Sequence, residues 1–161
     1  MTIRVRNGSN ADIVTWRLCR HCGAMTNKHV PSPLASLAGS RLVEVEVETG
    51  WWFRFEPTFT LHVECNWRLT DQERILVTNE DNGQVFGLPS PVNASEGVAH
   101  AVGNGRVTEI ELRGVAMDLL VRFENGTTLE ILPNSSGYEN WHFFAGDGQE
   151  GRVLGGGKLQ A

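Results

Sequence analysis

Cys19-Arg20-His21-Cys22 and His62-Val63-Glu64-Cys65 carry the residue types best suited to chemistry: a C-x2-C pair and an H-x2-C pair, formally enough thiolate and imidazole for a tetrahedral zinc site. Their setting argues against it. On a regular strand residues 62 and 65 point to opposite faces, so both reach one ion only if the strand ends or bulges there. Glycine or proline is missing beside Cys65, although Cys22-Gly23 has it. No strand-helix context of thioredoxin type surrounds the first pair. The favoured reading is therefore cysteines as small buried hydrophobes, with no metal and no other cofactor.

Carboxylates form the second set. Glu44, Glu46 and Glu48 alternate along one stretch, and Glu109, Glu111, Glu124 and Glu130 along another. A catalytic acid-base pair needs one member buried enough to raise its pKa, and alternation turns these outward, which disfavours glycosidase chemistry. Outward glutamates are either solvated or a docking surface for a cationic partner, and Glu109 and Glu111 are the candidates for that surface.

Tyr138-Glu139-Asn140-Trp141 is the third. Tyr138 and Trp141 have the size and polar handle of interface anchors, and Glu139 suits a partner's Arg or Lys. The competing reading places Trp141 and Phe143 on a last strand, with Trp141 closing the core. The sequence has no G-x-S-x-G, H-E-x-x-H or Walker loop, and its histidines are scattered, so binding rather than catalysis is expected.

Composition sets the frame for these residues. A chain of 161 residues, 40% hydrophobic and 20% charged, fits one globular domain. Its net charge of -5 is uneven, because Arg4, Arg6, Arg17, Arg20 and Lys28 face only Asp12 over residues 1–31. The acidic remainder disfavours nucleic acid and favours a basic protein partner. Three cysteines, an odd number, fit a reducing compartment. No apolar run is long enough for a membrane span, and the first residues lack a secretory pattern, so a cytoplasmic location is expected.

The elements that position these residues read as an internal repeat. "SPLASLAGSRLVEVEVETGWWFRFEPTFTLHVEC" and "NASEGVAHAVGNGRVTEIELRGVAMDLLVRFENGTTLEIL" align with Arg41 on Arg106, Glu44 on Glu109, Glu46 on Glu111, and Arg54-Phe55-Glu56 on Arg122-Phe123-Glu124. Each copy opens on a helix start, Ser32-Pro33 or Asn93 with Glu96, and stops its helix at Gly39 or Gly103. A three-stranded meander follows, with Asn125-Gly126 predicting a type I′ turn in the second copy. Expected inward residues are Val43, Val45, Val47, Phe53, Phe55, Leu61 and Val63 in the first copy. In the second they are Ile110, Leu112, Leu119, Val121, Phe123, Leu129 and Ile131.

The expected fold is α+β and mainly antiparallel, two helix-plus-meander repeats packed as a sandwich or partly open barrel. Residues 1–31 form a hairpin arm, 32–69 the first repeat and 70–92 a connecting hairpin around Asn82-Gly83. Residues 93–145 form the second repeat, and 146–161 a glycine-rich tail with one short strand. Open sheet edges allow pairing into a homodimer.

Leu119, Phe123, Asn125, Gly126, Leu129, Ile131, Tyr138, Glu139 and Trp141 form a pattern, F-x-N/D-G, then L-x-I, then Y-E-x-W, that resembles a family of small bacterial proteins of unknown function. Many of these are thought to be immunity proteins of polymorphic toxin systems. The resemblance implies a protein that binds and neutralises one cognate toxin, and it extends over about the last third of the chain. The alternative is a small-molecule binder or enzyme with its cleft between the repeats.

Overall fold

The computed structural model describes residues 29–161. Most of the expected N-terminal arm, with Cys19 and Cys22, lies outside the described residues. The helix signals work as local chemistry predicts. Helix α1 is a single turn, Ser32–Ala35, with Pro33 in that turn, and the chain leaves it through Gly39 at φ 86°. Helix α2, Ala94–Val102, is capped by Asn93, whose side-chain oxygen accepts from the Glu96 N–H at 3.2 Å. Gly103 at φ 56° ends it, and Ala94, Val98 and Val102, spaced by four, are its buried stripe.

Among the described residues there are eleven strands, five before α2 and six after it. A first meander consists of β1 (Arg41–Val47), β2 (Trp51–Glu56) and β3 (Phe59–Val63). After it come β4 (Asn66–Thr70) and β5 (Ile75–Thr78). The second meander is β6 (Val107–Arg113), β7 (Asp118–Phe123) and β8 (Thr128–Leu132), followed by β9 (Trp141–Ala145), β10 (Glu150–Leu154) and β11 (Lys158–Gln160). They form two sheets, ordered β1-β2-β3-β9-β10-β11 and β5-β4-β8-β7-β6, antiparallel throughout. The fold is α+β and mainly β.

The strand after each meander leaves its own sheet. β4 crosses to lie beside β8, and β9 crosses to lie beside β3. What it carries explains the crossing: Trp67 on β4 and Trp141 on β9 are both fully buried, among Phe53, Leu61, Leu69, Leu119, Leu129, Ile131 and Phe143. Trp67 meets Trp51 edge-on at 4.7 Å and Phe53 at 5.4 Å. Each crossing strand thus delivers the largest side chain available to the shared core. The meanders also touch at one bridge, Arg41 opposite Arg106.

Several expectations need correction. Val43 and Val47 are 55% and 49% exposed, not inward. A bulge between Leu42 and Glu44 shifts the alternation, so Leu42 goes into the core in place of Val43, and Val47 ends an edge strand. The second meander has its bulge at the matching place, between Val107 and Glu109, and Val107 is buried there. Ile110 is only partly buried.

The Asn125-Gly126 turn is not of type I′, since only Gly126, at φ 87°, has positive φ. Gly126 N–H donates to Phe123 O, and Phe123 N–H to Thr127 O, the pattern of a three-residue loop closed by a glycine bulge. Asn125 has another task. Its Nδ2 donates to Ala101 O at 2.7 Å and Val102 O at 3.1 Å, satisfying the last carbonyls of α2, while its Oδ1 accepts from Thr127.

The connecting segment differs too. Its hairpin is β4–β5, turning at Asp71, whose carboxylate accepts from the backbone N–H groups of Glu73 and Arg74. After β5 the chain makes a 3-10 turn, Asn79–Asp81, and then a loop without strands. At the C-terminal end the expected frayed tail is instead the β10–β11 hairpin, which widens the first sheet.

Candidate functional site

The five residues expected to make partner contacts fall in three places. Glu109 and Glu111 lie on the outer face of the five-stranded sheet and are already paired. Arg122 reaches Glu109 at 3.3 Å and Glu111 at 2.9 Å, and Arg113 donates to the two oxygens of Glu111 through Nε and Nη2, each at 2.9 Å. Arg68 and Thr70 hold Glu130 on the same face. These carboxylates are neither free nor simply solvated, since guanidinium groups neutralise them within the sheet. The first meander repeats the device, with Arg54 on Glu44 at 3.1 Å and on Glu46 at 2.9 Å.

Trp141 is in the core, 0% exposed, with its indole N–H donating to Met117 O at 3.2 Å. It cannot anchor a partner, because exposing it means unfolding β9. Of the cluster Tyr138-Glu139-Asn140-Trp141, only the first two residues face outward.

Tyr138 is 83% exposed, at the end of a loop that Asn140 organises from beneath. Asn140 is fully buried. Its Oδ1 accepts from Asn134 N–H at 3.1 Å and Ser135 N–H at 3.2 Å, and its Nδ2 donates to the carbonyls of Ser135, Tyr138 and Leu154 at 3.3–3.4 Å. Its backbone joins both neighbours, accepting from Glu64 N–H and donating to Val153 O. The Ser135 hydroxyl accepts from Tyr138 N–H at 2.8 Å. One buried amide thus fixes the loop that holds Tyr138 in solvent.

Glu139 opens onto a row that the sequence alone does not assemble. Cross-strand register aligns Glu46, Trp52, His62, His142, Arg152 and Gln160 over the outer face of the six-stranded sheet. Trp52 stacks on His62 at 4.0 Å and lies 6.4 Å from Phe144, and the Arg54 guanidinium stands 5.6 Å from the Trp52 ring centre. His62 and His142 meet edge to face at 5.9 Å. Glu139 accepts from Arg152 at 3.0 Å, and its other oxygen is 2.9 Å from His142 Nε2. A shallow hollow of about 490 Å³ continues from His142 and Phe144 toward Glu150, Arg152 and Gln160.

His62 is the buried member of this row. Its Nε2 has no hydrogen-bond partner and faces Gly50, where an added Cβ would come within 2.5 Å of it. Burial holds the His62 pKa below the usual histidine range, and His142 adds to this, while Glu64, 3.6 Å from Nδ1, and Glu139 oppose it. A histidine with a lowered folded-state pKa stabilises the fold above its unfolded pKa, and that contribution is lost as pH falls below about 6.5. Melting temperature should therefore decline as pH drops from about 6.5 toward about 5, and His62→Gln should flatten that decline. Equal slopes in both proteins would remove His62 from the account.

His62 and Cys65 lie in different surroundings. His62 lies on the outer face with Trp52, whereas Cys65 belongs to the core, where burial pushes its thiol up to about 12. Among the described residues no group of three or more His, Cys, Asp or Glu is placed to hold a metal ion. No helix among them is long and apolar enough to cross a membrane.

The row did have a sequence signal. In "WWFRF", "LHV" and "WHFF" the residues Trp52, His62, His142 and Phe144 alternate with core residues and so had to face outward. Their adjacency depends on β9 entering between β3 and β10. No family model matches the chain, and neither a curated protein nor a solved structure does.

Proposed function

We propose that this chain is a non-catalytic protein-binding module of toxin-immunity type, with Tyr138 and Glu139 at the contact. The observation that carries the reading is the Asn140-centred loop. It fixes the backbone of an exposed tyrosine, so a partner meets an aromatic anchor whose main-chain ordering cost is already met within the fold. Glu139, beside Arg152 and His142, supplies a polar contact next to it. The overall charge of -5 favours a basic partner such as a toxin, in the cytoplasm. The resemblance through Phe123, Asn125, Gly126, Tyr138 and Glu139 belongs to this proposal.

The same proposal takes the two meanders as copies of one unit, packed face to face. Supporting it are the matching bulges, the Arg54 and Arg122 ion pairs, and the Asn-Trp steps 66–67 and 140–141 at the two crossings. Trp67, Trp141, Phe53 and Phe143 fill the interior between the copies, and what they leave is a hollow of about 350 Å³ between β1 and α2, lined by Leu42, Val43, Glu44, Val45, Ala99 and Asn104.

Tyr138→Ala is the direct test. The ring is exposed, so melting temperature should stay within about 2 °C, while affinity for a protein co-purified from the source cells falls about tenfold or more. Retained affinity in the stable variant would remove Tyr138 from the contact. Alanine at both Glu109 and Glu111 is a poorer probe, because it strips the partners of half-buried Arg122.

A further inference from the structure

The loop between β5 and α2 exposes more apolar surface than its surroundings explain. Gly83 N–H donates to Val92 O and Val92 N–H to Gln84 O, both at 2.8 Å, closing the base of the loop. Above that base Leu88 N–H donates to Val85 O at 2.7 Å, making a tight turn over Phe86-Gly87. Both central residues have positive φ, 46° and 77°, as in a type I′ turn.

Glycine takes that geometry freely, but phenylalanine does not: its Cβ crowds the backbone in the left-handed region, where Asn, Asp or Gly normally sits. Among the described residues the strain has no return, for Phe86 is 68% exposed and Val85 and Leu88 are about half exposed beside it. A strained backbone that holds a bulky side chain out in water points to a contact beyond the described residues.

Charge narrows what that contact is. From residue 75 to residue 105 the chain has no Lys or Arg, while Glu80, Asp81 and Glu96 flank the turn on both sides. Such a segment is repelled by an anionic membrane surface, and two copies facing each other would bring like charges together. A protein pocket with an apolar floor and a basic rim fits both features.

We propose that the Val85–Leu88 turn is an apolar anchor that inserts Phe86 into a hydrophobic pocket, rimmed by Lys or Arg, on a partner protein. This rests on the reading of the chain as a protein-binding module, and adds a second contact and the chemistry of the pocket that receives it.

The test immobilises the full chain, as wild type and as Phe86→Ser, in protein extract of the source cells. The protein retained by wild type is identified, purified and titrated against both. Kd should rise about tenfold or more with Phe86→Ser and change less than about threefold with Phe86→Leu. It should also weaken as salt rises from about 0.05 to about 0.5 M. Phe86→Gly, which relieves the backbone, should lose the affinity yet melt no lower than wild type, separating binding from folding.

An unchanged Kd for Phe86→Ser, with Tyr138→Ala still weakening the complex, overturns this anchor and leaves the module reading standing. If wild type retains no protein, both fail. Phe86-dependent self-association in sedimentation, or Phe86-dependent retention on vesicles of phosphatidylcholine with phosphatidylglycerol, assigns the turn to another occupant and also overturns the proposal.

Discussion

Trp141→Ala should cost about 3–5 kcal/mol of folding stability, the range for emptying a large aromatic site in a closed core. Trp141 has no exposed surface, pairs with Val63 on one side and Val153 on the other, and lies on the strand that joins the second meander to the first sheet. Its removal leaves a cavity where β9 enters the sheet, and Met117 O loses its indole donor. Urea unfolding followed by fluorescence of the remaining tryptophans measures the effect as a lower midpoint. Tyr138→Ala, three residues earlier, is the internal control and should change stability by less than about 0.5 kcal/mol. Similar losses at the two positions would contradict the division of this cluster into one core residue and one surface residue.

Asn140→Ala should have the second-largest effect, about 3 kcal/mol, because it removes the buried amide on which five backbone groups converge. The N–H groups of Asn134 and Ser135 lose their acceptor, and the carbonyls of Ser135, Tyr138 and Leu154 lose a donor. Each buried group left unpaired costs about 1–3 kcal/mol, and relaxation of the loop toward water recovers part of the sum. Hydrogen exchange gives the distinguishing readout. Amides 134, 135 and 138 should lose protection in the variant, while those of β7 and β8 keep it to the extent that the fold survives. Asn140→Asp separates the two halves of the network, since it keeps the acceptor and replaces the donor by a second oxygen facing three carbonyls. At neutral pH it should be less stable than Asn140→Ala, and the gap should narrow in acid as the new carboxyl is protonated. A gap that does not depend on pH would mean the carbonyls find other donors.

Local signals were legible wherever one residue's own chemistry decides the outcome. Asn93 with Glu96 starts α2, Gly103 ends it, and the alternation from Phe53 to Val63 and from Leu119 to Ile131 fills the core. Where the reading failed, a neighbour decided. Val43 turns outward because a bulge inserts one residue into the ladder, and no periodicity announces a bulge. Asn125-Gly126 satisfies the end of α2, a demand set by a helix more than twenty residues earlier in the chain. The hairpin expected around Asn82-Gly83 is absent, and the positive-φ pair of that segment falls on Phe86-Gly87, where intrinsic preference is poor.

The candidate site divides in the same way. Tyr138 and Glu139 stood out in the sequence as an aromatic and an acid beside a strand, but Asn140, which fixes them, looked like an ordinary loop residue. Its role depends on carbonyls and amides brought from the loop and from Leu154. Glu109 and Glu111 looked like an open acidic surface, and only strand pairing puts Arg122 between them.

By itself, the sequence determined where α2 and the strands of the two meanders lie, which side of most of them is apolar, and that the product is mainly antiparallel α+β. These follow from steric and solvation preferences that act over a few residues. Tertiary structure alone decided that β4 and β9 cross to opposite sheets, and with that the assembly of Trp52, His62, His142 and Arg152 into one row. Alternation tells a strand which face to bury but not which strand to lie beside. That choice is made when the entropy of closing long loops is offset by burying Trp67 and Trp141 in one shared core.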